Sequence, residues 1–256
     1  PGRAKAMRAY VDRVLALLPF EPEALRRLEG PPGTYVGHPL LEQLGALRPN
    51  PEEAARRLAD PPLLLVLPGS RSGELRRMAA IFGAAVGEVA KRAVPLEVVV
   101  PAVPRLAAAV RSAVAAWPVP ARVVTDRTEK QAAFRHARAA LTKSGTSTLE
   151  LALAGIPMVA AYKVSLLEEA VARAMIKLST VILANLVLGE EVVPEFLQRD
   201  ATAGRLAAAL LPLLADSPER RRQTAAFGRL DGIMGLGQGA PSARAAAAVL
   251  ELCRGR

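Results

Sequence analysis

Short apolar runs alternate with longer amphipathic stretches through the middle of the chain. Leu63–Leu67, Leu96–Val100, Arg122–Thr125, Ala139–Thr142 and Met158–Tyr162 are apolar and partly β-branched, and they read as strands covered on both faces. Between them, Glu74–Arg92, Arg105–Ala116, Glu129–Arg135 and Thr148–Ala154 carry helical patterns. Strand–helix alternation of this kind predicts a parallel, doubly wound sheet with helices on both faces. Upstream, Val14–Leu18 and Thr34–Val36 predict two short strands around a helix at Glu23–Leu28. Two units so short cannot form a domain, so they read as the closing strands of a sheet begun earlier. The chain opens on Pro1 instead of Met, and it is expected to be a fragment. Arg48-Pro49-Asn50-Pro51 reads as a linker. Beyond Tyr162 the pattern predicts helices only, at Leu166–Leu178, Ala201–Leu214, Pro218–Phe227 and Ser242–Leu252. Leu166–Leu178 has one apolar face, taken as core. No internal repeat is found.

Composition narrows the picture. Apolar residues make up 51% of the 256, enough for a sizeable core and too many for general disorder. Cys253 is the sole cysteine, so an internal disulfide is excluded and a reducing compartment fits. The longest apolar stretch, Leu151–Tyr162, is broken by Gly155 and Pro157 and is shorter than the roughly 18 residues of a membrane span. The net charge of +10 is uneven: nine basic residues face eight acidic ones in 1–60, thirteen face six in 61–150, and twelve face ten in 151–256. Such an excess can meet nucleic acid, anionic lipid or a phosphorylated small ligand. Aromatics are only 4% of the chain, and Phe82 alone lies among the basic residues from Arg71 to Arg111. Nucleic-acid surfaces interleave the two, so a small anion is favoured.

Two loops carry the chemistry. Leu67-Pro68-Gly69-Ser70-Arg71-Ser72-Gly73-Glu74 joins a predicted strand to a long helix, and ligands of doubly wound sheets bind beyond strand carboxyl ends. Gly69 and Gly73 permit close approach, Ser70 can cap, and Arg71 offers a guanidinium fork to phosphate oxygens. An ordinary turn with a solvated arginine fits the spacing equally well. The second loop, Thr142-Lys143-Ser144-Gly145-Thr146-Ser147-Thr148-Leu149-Glu150, also runs from strand to helix. Its hydroxyls, Gly145 and the helix N-terminus suit an anion. Lys143 would reinforce the site, and Glu150 could accept from ribose hydroxyls. The simpler reading is a plain N-cap by Ser144 or Thr146.

Other motifs fail on context. Gly145–Leu149 ends in Leu where a nucleophile elbow needs Gly. Gly235-Leu236-Gly237-Gln238-Gly239-Ala240 fits a dinucleotide fingerprint in letters, but it follows a helix. It is expected to be the loop before the last helix, with Ser242 as cap. His38 and His136 are too few and too far apart for a metal site. No Asp-x-Asp pair or Walker A sequence occurs.

In order and spacing, several segments resemble the lipid-A-disaccharide synthase family of GT-B glycosyltransferases. They are Leu17–Glu21, Tyr35–Leu40, Leu67–Arg71 with Glu74, Ser144–Glu150, Gly155–Val159, Ala161–Lys163, Asn185-Leu186 and Val193–Gln198. Lys143 stands where that family commonly has a small residue, and Ala184 where Pro usually precedes the Asn. The resemblance implies an α/β fold of GT-B type. It implies a remnant of an N-terminal Rossmann-like domain and linker in 1–47, a Rossmann-like UDP-sugar domain in 48–217, and helices packing back toward the N-terminal domain in 218–256. The donor site implied is Gly69, Ser70, Arg71, Ser144, Gly145, Thr146, Ser147, Thr148, Glu150 and Asn185.

The reaction implied is inverting transfer of 2,3-diacylglucosamine from its UDP donor to 2,3-diacylglucosamine 1-phosphate (lipid X), giving a β-1,6-linked disaccharide, without metal or cofactor. The candidate base is an Asp of an N-terminal domain that this chain lacks, so UDP binding without turnover is expected. A Gram-negative, cytoplasmic, inner-membrane-peripheral enzyme without a nucleic-acid partner is implied, and a homodimer is compatible with it. Alternatives are another UDP-sugar GT-B enzyme, such as a peptidoglycan N-acetylglucosaminyltransferase or UDP-sugar epimerase, and a non-enzymatic module binding RNA or other anions.

Overall fold

In the computed structural model, residues 2–92, 95–163 and 180–254 are described. They fall into two compact units, one within Pro1–Gly45 and Arg229–Arg256, the other within Ala46–Gly228. The helix expected at Leu166–Leu178 lies outside the described residues.

The larger unit is built on β3 (Leu63–Leu67), β4 (Glu97–Pro101), β5 (Arg122–Val124), β6 (Ala139–Lys143), β7 (Met158–Tyr162) and β8 (Glu195–Leu197). All pair in parallel in the order β5-β4-β3-β6-β7-β8. The chain winds outward from β3 to β5, returns to the middle at β6, and winds outward the other way. The reversal therefore falls between β3 and β6, which are neighbours with Leu67 opposite Thr142. Leu64, Leu65 and Val66 of β3 and Ala139, Ala140 and Leu141 of β6 are fully buried, as strands covered on both faces must be.

Helices α4 (Pro51–Leu58), α5 (Ser72–Ala90), α6 (Ala107–Ala115), α7 (Arg127–His136), α8 (Thr146–Leu153), α9 (Leu183–Leu188), α10 (Ala203–Leu214) and most of α11 (Pro218–Ile233) complete this unit. One core cluster gathers Met78, Phe82 and Val86 of α5, Leu206 and Leu210 of α10, and β3, β4, β6 and β7 side chains.

The helices run against the strands, so their carboxyl ends collect at the amino edge of the sheet. Three buried arginines serve the carbonyls left over there. Arg57 donates to the carbonyls of Phe134, Arg135, Ala154 and Gly155. Arg138 donates to those of Arg57, Ala59 and Leu214, and Arg220 to those of Arg138 and Leu213. Burial, and then the neighbouring charge of Arg220, pull the Arg57 pKa down to about 10, against a smaller opposing pull from Glu53.

The smaller unit pairs β1 (Val14–Ala16) in parallel with β2 (Gly33–Tyr35) across α2 (Glu21–Arg27). α12 (Pro241–Arg254) joins it through the Arg244 guanidinium, which donates to the Tyr35 carbonyl at 2.9 Å and lies 5.3 Å from that ring's centre. Short helices at Gly2–Met7 (α1) and Leu44–Leu47 (α3) were not expected from the sequence.

Several expectations are corrected. The strand expected to reach Leu18 stops at Ala16, because the Leu17 and Leu18 N–H groups both donate to Glu21 Oε2 at 2.8 Å. Arg48–Pro51 is not simply a linker. Asn50 and Glu53 exchange side-chain and backbone hydrogen bonds across the first turn of α4, with Pro51 at its first position. Strands do not end at Tyr162, since β8 adds a parallel edge to β7. β8 is short and leads with Glu195, so it lacks the apolar run by which a central strand is recognised. The last helix starts at Pro241, which puts Ser242 inside its first turn, where its N–H donates to Glu42 Oε1 instead of the side chain capping.

Candidate functional site: a basic cleft at the strand-order reversal

The loops leaving β3 and β6 emerge side by side at the carboxyl edge of the sheet and line one cleft of about 580 Å³. Its walls include Gly69, Ser70, Arg71, Glu74, Lys143, Gly145, Thr146, Ser147 and Glu150. Residues Pro101–Pro104 at the end of β4 and Val124–Arg127 at the end of β5 close the far side, with Lys130.

Gly69 turns the first loop at φ +127°, where a Cβ would stand 2.5 Å from Glu74 Cβ and 2.7 Å from its Oε2. The space is taken because Glu74 folds back under the loop. Its Oε2 accepts from the N–H groups of Ser70 (3.0 Å) and Arg71 (3.3 Å), and its Oε1 from Arg71 Nη1 (2.9 Å). Lys143 Nζ reaches the same Oε1 from the other loop at 3.1 Å. Burial works against the Glu74 carboxylate, but Lys143, the Ser70 N–H and Arg71 together outweigh it and hold its pKa below the ordinary value. Arg105 ties the loop down further by donating to the Ser70 carbonyl at 3.1 Å.

The second loop enters α8 through Gly145 at φ +150°, a backbone state nearly confined to glycine. No side chain caps α8. Of the two hydroxyls expected to do so, Ser144 Oγ donates instead to Glu195 Oε1 (3.3 Å) and Thr146 lies inside the helix as its first residue; Thr148 Oγ1 donates to the Gly145 carbonyl (2.7 Å). The amino end of α8 thus meets the cleft at Gly145, Thr146 and Ser147 with its dipole uncapped.

The structure brings seven of the ten expected residues to this cleft: Gly69, Ser70, Arg71, Gly145, Thr146, Ser147 and Glu150. Glu150 Oε1 accepts from Lys130 Nζ at 2.8 Å. Ser144 and Thr148 are buried behind the loop. Asn185 is also buried and lies apart, with its Oδ1 on the N–H groups of Val192 (3.1 Å) and Val193 (2.9 Å) and its Nδ2 on the Val193 carbonyl (3.0 Å). Glu195, which receives Ser144 Oγ, Thr180 Oγ1 and the Val181 N–H, braces the second loop from behind, while Asn185 holds the 192–193 backbone.

Sequence reasoning did not pick out Lys130, Asp126, Arg127 or the Pro101–Pro104 wall. The available signal was topological: in a parallel sheet the loops after β4 and β5 must open on the same edge as those after β3 and β6. Asp126 caps α7 by accepting from the N–H groups of Thr128 (2.8 Å) and Glu129 (3.0 Å).

A doubly wound parallel sheet with a cation-lined cleft at its reversal is a Rossmann-like α/β fold, and its solved neighbours make it one of GT-B type. Similar solved structures share that fold. One is described as a UDP-N-acetylglucosamine 2-epimerase from Listeria monocytogenes, with TM-score 0.56 and 17% identity over 84% of this chain and 57% of that one. Another is the wall teichoic acid polymerase TagF, with TM-score 0.52 and 12% identity over 97% of this chain and 59% of that one.

Sequence comparison gives the family. The model of the lipid-A-disaccharide synthetase family matches residues 1–245. The lipid-A-disaccharide synthase of Nitrobacter winogradskyi is 59% identical over 99% of this chain, and that of Rhodospirillum centenum 42% identical over 98%. The chain belongs to this family. It spans 64% of the length of the first relative and 63% of the second.

Proposed function

We propose that the cleft binds the UDP moiety of a sugar-nucleotide donor, and that the chain contributes this donor side to transfer of 2,3-diacylglucosamine from UDP-2,3-diacylglucosamine to 2,3-diacylglucosamine 1-phosphate. The observation that carries the proposal is convergence: Arg71, Lys143 and the uncapped start of α8 line one volume from two adjacent loops. A departing UDP develops negative charge on its diphosphate, and prepositioned positive charge lowers that barrier without reorganisation. Gly69, Ser70, Arg71, Gly145, Thr146 and Ser147 are assigned to the diphosphate and Glu150 to ribose, with Lys130 releasing its carboxylate as the hydroxyls arrive. Ser144, Thr148 and Asn185 are assigned to shaping the loops.

The cations take the place a divalent metal fills elsewhere, so binding is expected to be indifferent to chelator. No described helix is long and apolar enough to cross a membrane. With diacylated substrates, the enzyme is assigned to the surface of the inner membrane's cytoplasmic leaflet.

Calorimetric titration with UDP and with single-stranded RNA tests the reading. One UDP per chain is expected, unaffected by EDTA and weakened about tenfold or more by Arg71→Ala, since hydrogen bonds to charged groups contribute about 1.5–3 kcal/mol. Indifference to UDP together with salt-steep RNA binding would overturn it. Product analysis with acylated and unacylated UDP-glucosamine tests the substrate assignment.

A further inference from the structure

A buried carboxylate inside an anion site repels an anionic ligand unless cations and N–H donors offset its charge, as they do at Glu74. Glu74 is only 4% exposed, and it sits between Arg71 and Lys143, two cations that line the cleft from different loops. Its Oε2 is fixed by two backbone N–H groups of the first loop. That fixes Oε1, on which Arg71 Nη1 from one loop and Lys143 Nζ from the other converge at 2.9 and 3.1 Å. Two cations sharing one oxygen would repel each other and swing apart if that oxygen lost its charge.

The surroundings are shaped to this strap. A Cβ on Gly69 would strike the Glu74 side chain, and one on Gly145 would stand 3.2 Å from Lys143 Nζ. Lys143 is steadied on its other side by the Tyr162 ring, 4.7 Å from its ammonium. Both glycines thus make room for the strap as well as for a ligand.

We infer that Glu74 is a positioning residue for diphosphate recognition, holding Arg71 and Lys143 on the same face of the cleft so that both meet one ligand. This rests on the donor-site reading above and adds Lys143 and Glu74 to it. The carboxylate need not touch the nucleotide. Its role is to place two charges that arrive from separate strands. The opposite role is also chemically defined: a carboxylate that competes with phosphate for the same cations would weaken binding, and its removal would tighten it. The two roles differ in sign.

Titration of the full 256-residue chain with UDP and with UMP at one ionic strength separates them. The proteins are the parent, Glu74→Gln, Lys143→Met and the double variant. Gln keeps a carbonyl oxygen for the Ser70 and Arg71 N–H groups but turns an amide NH₂ toward the cations, so the loop stays capped while the hold is lost. The preference for UDP over UMP is expected to fall about tenfold in Glu74→Gln, as for loss of one charge-assisted hydrogen bond. It falls similarly in Lys143→Met, and no further in the double variant, because the two changes remove one device.

General destabilisation would lower both affinities and leave the preference intact. An unchanged preference in Glu74→Gln, tighter UDP binding by it, or fully multiplicative losses in the double variant would overturn the inference. If Glu74→Gln does not fold, an unchanged preference in Lys143→Met alone overturns it. Absence of UDP binding by the parent chain removes the donor-site reading and this one together, whereas parent binding with an unaltered preference in the variants removes only this one.

Discussion

Replacing Gly69 by Ala puts the geometry of the first loop to a quantitative test. The residue sits at φ +127°, where a side chain costs about 1–3 kcal/mol in backbone strain. The new Cβ would lie 2.5 Å from Glu74 Cβ, an atom anchored to the helix backbone that rotation cannot move aside. The carboxylate must therefore leave its seat and give up its bonds to the Ser70 and Arg71 N–H groups, each worth about 1.5–3 kcal/mol net. Part of that is recovered from water, because the loop is half-exposed. A total near 4 kcal/mol follows from strain and lost bonds together, a large share of the roughly 5–15 kcal/mol of a typical domain.

Truncating Glu74 to Ala keeps its Cβ but removes the carboxylate, so the bonds to the Ser70 and Arg71 N–H groups are lost in both single variants and only once in the double one. The double variant Gly69→Ala/Glu74→Ala is thus expected to lose at least about 1 kcal/mol less than the sum of the single losses. Urea unfolding followed by Trp117 fluorescence reports on the correct part of the molecule, because Trp117 is the sole tryptophan and lies in the larger unit with Gly69. A Gly69→Ala loss under about 0.5 kcal/mol, the ordinary surface range, or strict additivity in the cycle, would refute the reasoning.

Arg57→Met should destabilise the larger unit by about 3 kcal/mol, since the carbonyls of Phe134, Arg135, Ala154 and Gly155 lose their shared donor. Relief of burial and of repulsion by Arg220 offsets only part of this. Urea midpoints with an unchanged slope are the check, and a neutral or stabilised variant would show those carbonyls to be solvated.

His38 predicts a pH effect in the smaller unit. Its Nδ1 accepts from the Leu40 N–H at 3.1 Å, and burial lowers its pKa, with Glu21 opposing. A depressed histidine stabilises the fold fully above its ordinary value of 6.5 and loses that contribution as pH falls through its folded value. Amide exchange at Val36–Leu41 should therefore accelerate below about pH 6.5 beyond its intrinsic pH trend, and His38→Asn, which keeps a cap acceptor, should abolish the excess.

The strands of the larger sheet were legible because parallel strands leave continuous apolar runs, and Met158–Tyr162 is bounded as the sequence predicts. The two loops were legible because Gly69 and Gly145 follow such runs directly. The expected hydroxyl cap was not. Whether Ser144 points along the helix or back to Glu195 depends on β8, an edge strand half a hundred residues away whose three residues carry no periodic signal. The Lys130–Glu150 and Glu74–Lys143 pairs were equally hidden, since each joins side chains from different helices and loops that only the sheet order brings together. Asn185 was singled out by the resemblance, and its side chain proved to brace the 192–193 backbone, a job invisible without the turn that presents those N–H groups.

The two edges of the sheet differ in how freely they can vary. At the carboxyl edge, the wall residues outside the Glu74 strap, such as Ser147 and Arg127, line open space, and one of them can change while its neighbours stay as they are. At the amino edge, Arg57, Arg138 and Arg220 interlock, with Arg138 grasping the Arg57 carbonyl and Arg220 the Arg138 carbonyl. Any single exchange strands several helix ends at once, so descendants of this chain should alter that trio together or leave it alone, while the opposite edge is free to drift toward new ligands one step at a time.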